Sequence, residues 1–120
     1  MNSSNIIEVN ENDFENIVIN GSDNKLIIVD FWAPWCGPCK QLTPIMEKVA
    51  KENTDNFDLV KINIDENQQI ASQLRIQSIP AVFAFKDKKV VNAFQGVISE
   101  KDFLDFIEKS GGIKLKEDFS

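Results

Sequence analysis

The sequence predicts an α/β protein in which a mixed β-sheet carries helices on both faces. Leu26, Ile27, Ile28, Val29, Phe31 and Trp32 form an almost unbroken apolar run of strand length, as expected of a strand covered on both sides. Helical and strand-like periodicities alternate along the chain in the order βαβαβαββα. The last two strands are separated only by Lys86-Asp87-Lys88-Lys89, a spacing that suits a hairpin. Parallel neighbours need a crossover helix and a hairpin does not, so a βαβ half followed by a ββα half makes a mixed sheet. At 120 residues the chain closes one core as a single domain without needing a disulfide to fold.

A short strand opens the chain around Ile6 to Val9. Asn12 with Glu15 three residues on forms a capping-box pattern, and Phe14, Ile17 and Val18 supply the apolar stripe of a first helix. The central apolar strand follows, interrupted by Asp30. From Cys36, the residues Leu42, Ile45, Met46, Val49 and Ala50 recur at helical spacing and define a long amphipathic helix that fades at Asn53 to Asn56. Pro44 lies inside it and is expected to kink it. Phe57 to Ile64 alternates as a third strand, with Val60, Ile62 and Ile64 on one face and Leu59, Lys61 and Asn63 on the other.

Asp65 with Gln68 reads as the cap of a short helix burying Ile70 and Leu74, finished before Ile79-Pro80. Ala81 to Phe85 and Val90 to Phe94 are the hairpin strands; without a glycine between them the turn type stays open. Ser99 with Asp102 starts the last helix, which buries Phe103, Leu104, Phe106 and Ile107 and stops at Gly111-Gly112. Residues 1–110 are the expected domain. Residues 111–120 are then a short tail, either a loose end or the start of a linker.

Composition narrows the function. Hydrophobic residues make up 42% and charged residues 27%, the balance of a soluble domain, and no apolar run is long enough to cross a bilayer. The start, MNSSNIIEVN, lacks the basic and apolar regions of a secretory signal, which makes a cytoplasmic, reducing compartment the expectation. A net charge of -6 without a basic stripe argues against nucleic acid as a partner. No membrane association is expected either.

The only two cysteines stand in WAPWCGPCK. Cys36 falls where the central strand meets the long helix, and there unpaired backbone N–H groups and the helix dipole stabilise a thiolate. Cys39 lies one turn further in, on the same face, and Pro38 suits the first turn because an N–H there has no partner. Such a pair opens and closes: Cys36 is the exposed nucleophile that attacks a substrate disulfide, and Cys39 then resolves the mixed disulfide. The chain has no second cysteine pair and no histidine, so a zinc site would need carboxylates or a second subunit, and no metal is expected.

DFWAPWCGPCK, LVKINID, SIP and FQG, in that order and at these distances, resemble the thioredoxin family from about Ile6 to Lys109. The resemblance implies a five-stranded sheet in the order 1-3-2-4-5 with four helices, and an activity that reduces protein disulfides. It carries the redox pair onto Cys36 and Cys39, the adjacent tryptophan onto Trp35, the buried carboxylate onto Asp30, its lysine neighbour onto Lys61, the cis-proline onto Pro80 and the groove glycine onto Gly96. Gly37 and Pro38 in the gap are similar to those of reducing members.

A carboxylate in an apolar strand is hard to justify by stability. Asp30, raised by burial and moderated by Lys61, is therefore expected to take the Cys39 proton. Backbone at Ile79 and Pro80 is expected to pair with an extended substrate segment, and Trp35 and Gly96 to line a shallow contact surface, with Trp32 either joining them or packing into the core.

The resemblance also implies no bound cofactor, reduction by an external NADPH- and flavin-dependent thioredoxin reductase, disulfide-containing client proteins and a monomeric chain. QLTPIMEKV, SIPAVFAFKD and AFQG are closer still to the thioredoxin domain of fusions with tetratricopeptide repeats, which leaves two functions open: a disulfide reductase, or a redox-linked holdase that binds clients.

Overall fold

The computed structural model describes residues 5–113 and 115. Five strands, β1 (Ile6–Glu8), β2 (Leu26–Trp32), β3 (Phe57–Asn63), β4 (Ala81–Lys86) and β5 (Lys89–Gln95), form one sheet in the order β1-β3-β2-β4-β5. The β1–β3 and β2–β3 pairs are parallel, while β2–β4 and β4–β5 are antiparallel. This is the mixed sheet that the connection lengths require.

Alternation along β2 feeds two cores. Leu26 and Ile28 face α1 (Gly37–Glu52) and α3 (Glu100–Gly111), packing with Leu42, Met46, Val49, Phe103 and Ile107. Ile27, Val29 and Phe31 face the opposite side with Phe14, Val18 and Ile70, the last from α2 (Gln68–Gln73). Burial of so many large side chains at roughly 1.5–3 kcal/mol each is the main force holding the layers together.

The caps of α3 are those its sequence predicts. Asp102 N–H donates to Ser99 Oγ at 3.1 Å, and Gly112 closes the helix in the left-handed conformation at φ 63°. Pro44 lies within α1, which continues to Glu52.

Three local expectations are corrected. The first helix is a succession of 3-10, π and 3-10 turns, Glu11–Asp13, Glu15–Asn20 and Gly21–Asp23, and Asn12 does not cap it. Here the buried anchors are only Phe14 and Val18, too few to impose a regular α period on an asparagine-rich segment. The cap position of α2 is Asn67 rather than Asp65; the Asn67 side chain instead ties Glu11 N–H to the Asn63 carbonyl. The hairpin turns on Asp87 and Lys88, both at positive φ (53° and 70°), the pair of left-handed residues a two-residue turn needs. Ser22 stabilises it by accepting from Lys88 N–H at 2.8 Å and, through its carbonyl, from Asp87 N–H at 2.9 Å.

Of the expected tail, 114 and 116–120 lie outside the described residues. Ile113 and Leu115 pack against the α1–α3 core, and Leu115 N–H donates to Glu108 Oε2 at 2.8 Å. No helix among the described residues is long and apolar enough to cross a membrane.

Candidate active site

The end of β2 delivers the chain to the start of α1, and the two cysteines stand at that corner. Cys36 is the N-cap residue of α1, with extended backbone, and Pro38 occupies the first turn. Cys36 and Cys39 are joined as a disulfide, their Cα atoms 5.3 Å apart. Cys39 N–H donates to Cys36 Sγ at 3.1 Å, so the sulfur receives a hydrogen bond that would otherwise be an orphan of the helix start. The positive end of the helix and this N–H both favour charge on that sulfur once the disulfide opens.

The leading cysteine was expected to be exposed, and in the disulfide state it is not: Cys36 and Cys39 are each 3% exposed. The bond ties Cys36 to a sulfur one turn inside the helix, and the pair packs with Ala33 against Trp32, Ile64 and Ile79. What surrounds it is open. Trp35 is 67% exposed, Gly37 and Pro38 are exposed, and a Cβ at Gly37 or Gly96 would meet no atom within 4 Å.

Opposite the cysteines the Ile79-Pro80 peptide is cis. The Pro80 carbonyl accepts from Gly96 N–H at 2.9 Å, which locks the loop before β4 to the end of β5. Gly96 itself sits at φ 82°, where an L side chain is disfavoured. Ile79 touches the disulfide cluster, so the loop and the redox pair form one surface.

The polar part of the site is on β2 and β3, where Lys61 lines a cleft together with Cys39. Asp30 is 1% exposed and its Oδ1 has no hydrogen-bond partner. Burial pushes its carboxyl from an ordinary 3.8 up to about 7; the Lys61 ammonium pulls it down, and the Glu8 and Glu47 carboxylates add to the rise. Lys61 is level with Asp30 in the β2–β3 register, but its ammonium bonds Glu47 Oε2 at 3.1 Å and stands 5.5 Å from the Trp32 ring centroid. That open cleft of about 290 Å³ is lined by Trp32, Cys39, Lys40, Thr43, Pro44 and Lys61 among others.

Of the residues singled out in the sequence, Cys36, Cys39 and Ile79 pack together, Pro80 is bonded to Gly96, Cys39 and Lys61 line one cleft, and Asp30 is level with Lys61 in the strand register. Three carboxylates were not foreseen. Asp65 accepts from Trp35 Nε1 at 3.1 and 3.2 Å, Glu8 accepts from Trp32 Nε1 at 3.2 Å, and Glu47 holds Lys61. Only the odd charge of Glu8 after two apolar strand residues hinted at any of them. Among the described residues no group of three or more potential ligands is placed to hold a metal.

A sequence profile described as Thioredoxin matches residues 5–109. The chain belongs to the thioredoxin family. It is 38% identical over 106 residues to a thioredoxin of Haemophilus influenzae, covering 88% of this chain and 97% of that one. Over 84 residues it is 44% identical to a thioredoxin of Rickettsia typhi, covering 70% of this chain and 80% of the relative. The similarity extends to an M-type chloroplastic thioredoxin of Chlamydomonas reinhardtii, 38% identical over 101 residues, or 84% of this chain and 71% of the other. As a thioredoxin-family protein with its Cys36–Cys39 pair at the helix start, it is a thiol–disulfide oxidoreductase that acts by dithiol–disulfide exchange on disulfide substrates.

Proposed function

We propose that the protein reduces client-protein disulfides with Cys36 as nucleophile and Cys39 as resolving thiol. The observation that carries this reading is the Cys39 N–H on Cys36 Sγ at the first turn of α1, which favours the thiolate at the leading position. The Cys36 thiolate attacks one sulfur of the client disulfide, forming a mixed disulfide and expelling the first client thiolate, which takes a proton from solvent. Cys39 passes its proton to Asp30, directly or through water in the adjoining cleft, and its thiolate attacks Cys36 Sγ. The second client sulfur leaves as a thiolate and takes a proton from solvent, Asp30 gives its proton back to solvent, and the protein holds the two-electron oxidised disulfide.

Asp30 suits that step because burial raises it into the range of a thiol's neighbourhood at neutral pH, and Lys61 limits the rise. Trp35, Gly37, Pro38, Ile79, Pro80 and Gly96 supply the client-binding surface, with backbone at Ile79 and Pro80 available to an extended segment. An external thioredoxin reductase, using NADPH and a flavin, returns the electrons. The protein works as a monomer in the cytoplasm and carries no cofactor of its own.

An insulin-reduction assay coupled to NADPH and a flavoprotein reductase tests the reading. Cys36→Ser should abolish turnover, and Cys39→Ser should accumulate the mixed disulfide with the client. Suppression of client aggregation with little turnover by the parent protein would overturn it in favour of a holdase.

A further inference from the structure

Lys61 occupies the middle of a charged row. The parallel register places Glu8 of β1 beside it on one side and Asp30 of β2 on the other. Each stands two positions after a residue that packs toward α1 and α3, namely Ile6, Leu59 and Ile28, so all three share that face of the sheet. Glu8 is also fixed in place. Trp32 Nε1 donates to its Oε2 at 3.2 Å, while the Trp32 ring lies beside the same Lys61 ammonium.

A lone lysine next to a buried carboxylate pairs with it and makes it a weak base. Here the ammonium is held by Glu47 of α1 instead, and Asp30 Oδ1 is left without a partner. We propose that Glu8 is a positioning residue of the redox site: with Glu47 it draws the Lys61 ammonium away from Asp30, so that Asp30 remains a strong proton acceptor for Cys39. This rests on the reading of Asp30 as the acceptor of the Cys39 proton.

The charges that face this row are Lys61 on β3, Glu47 and Lys40 on α1, and Glu66 in the loop after β3, while β4 presents Val82 opposite Asp30. Glu8 is the member at the sheet edge and is exposed. Its replacement therefore leaves the core intact. The Glu8 carboxyl is raised overall, by burial first and also by the Glu66 and Glu47 carboxylates, and the Trp32 hydrogen bond and Lys61 oppose that rise; the indole N–H is thus one of the two groups that favour the charged form.

The test is a titration of the Asp30 carboxyl by carbon NMR in the intact protein, reduced and oxidised. Glu8→Gln keeps an acceptor for Trp32 and removes only the charge; Glu8→Asp keeps the charge. At two strand spacings, about 10 Å, removing the charge should lower the Asp30 midpoint by about half a pH unit, roughly threefold in proton affinity. Salt should shrink that difference. Glu8→Asp should restore most of it, and the pH profile of mixed-disulfide resolution by Cys39 should move with the midpoint.

An Asp30 midpoint unmoved in Glu8→Gln, or displaced equally in both variants, overturns the proposal. A midpoint that moves while resolution keeps its pH profile supports the charge coupling and overturns instead the acceptor role of Asp30.

Discussion

Asp30 and Lys61 stand opposite each other in the β2–β3 register, yet the Lys61 ammonium is bonded to Glu47 and Asp30 Oδ1 has no hydrogen-bond partner. A buried carboxylate so placed destabilises the fold whenever it is charged. Below an ordinary 3.8 it is protonated in both the folded and the unfolded chain and costs nothing. Above that value the unfolded chain ionises first, and the penalty grows until the folded group titrates at about 7. The interval between the two, at ~1.36 kcal/mol per pH unit, makes the full penalty about 4 kcal/mol. Asp30→Asn should therefore unfold at higher urea than the parent at pH 8 and at nearly the same urea near pH 4. It should also slow disulfide turnover. Equal urea midpoints at both pH values would remove the basis for the role given to Asp30.

The leading thiol should be acidic. With the disulfide reduced, Cys36 keeps the α1 start and the Cys39 N–H, both of which favour charge on sulfur. Its titration, followed by thiolate absorbance or by the pH dependence of alkylation, should show a midpoint well below the ~8.5 of a free thiol. A midpoint at that free value would contradict the mechanism at its first step.

Trp35 is exposed but not loose, because its indole N–H bridges both oxygens of Asp65. Asp65→Ala frees the ring. With about 1 kcal/mol in such a hydrogen bond, the KM for a protein disulfide should rise roughly fivefold while kcat changes little. A loss confined to kcat would show that Asp65 acts on the chemistry rather than on the surface that receives the client.

Two backbone positions test strain in opposite directions. Arg75 holds φ 57° after α2, a conformation that costs a side-chain-bearing residue about 1 kcal/mol; Arg75→Gly should raise the unfolding free energy by about that much. At Gly96, where φ is 82°, Gly96→Ala should lower it by a similar amount. Nothing crowds the new methyl. Urea unfolding of both variants separates backbone strain from packing, since a packing effect at Gly96 has no neighbouring atom to act through.

What could be read from the residues alone followed from local and periodic rules. The β2 run, the alternation of Phe57–Asn63, the Ser99 cap, the glycine stop of α3 and the cysteine pair at a strand-to-helix corner each depend on a few neighbours in the chain, and the sheet order implied by the family resemblance agrees with the fold. The first helical segment did not follow its pattern, because two buried anchors among asparagines leave the turn geometry to contacts made elsewhere. The sequence likewise left open how Asp87 and Lys88 would turn without glycine, a turn held by Ser22 from across the chain.

By itself the sequence determined the strands, the main helices and the identity of the redox pair, since period and cap chemistry act over a handful of residues. Only the tertiary structure decided which charge meets which. Glu8, Asp30, Glu47 and Lys61 come from three strands and a helix, and Trp35 finds Asp65 across 30 positions of sequence. Electrostatic coupling depends on distance in space and on burial, and neither exists until the sheet has formed.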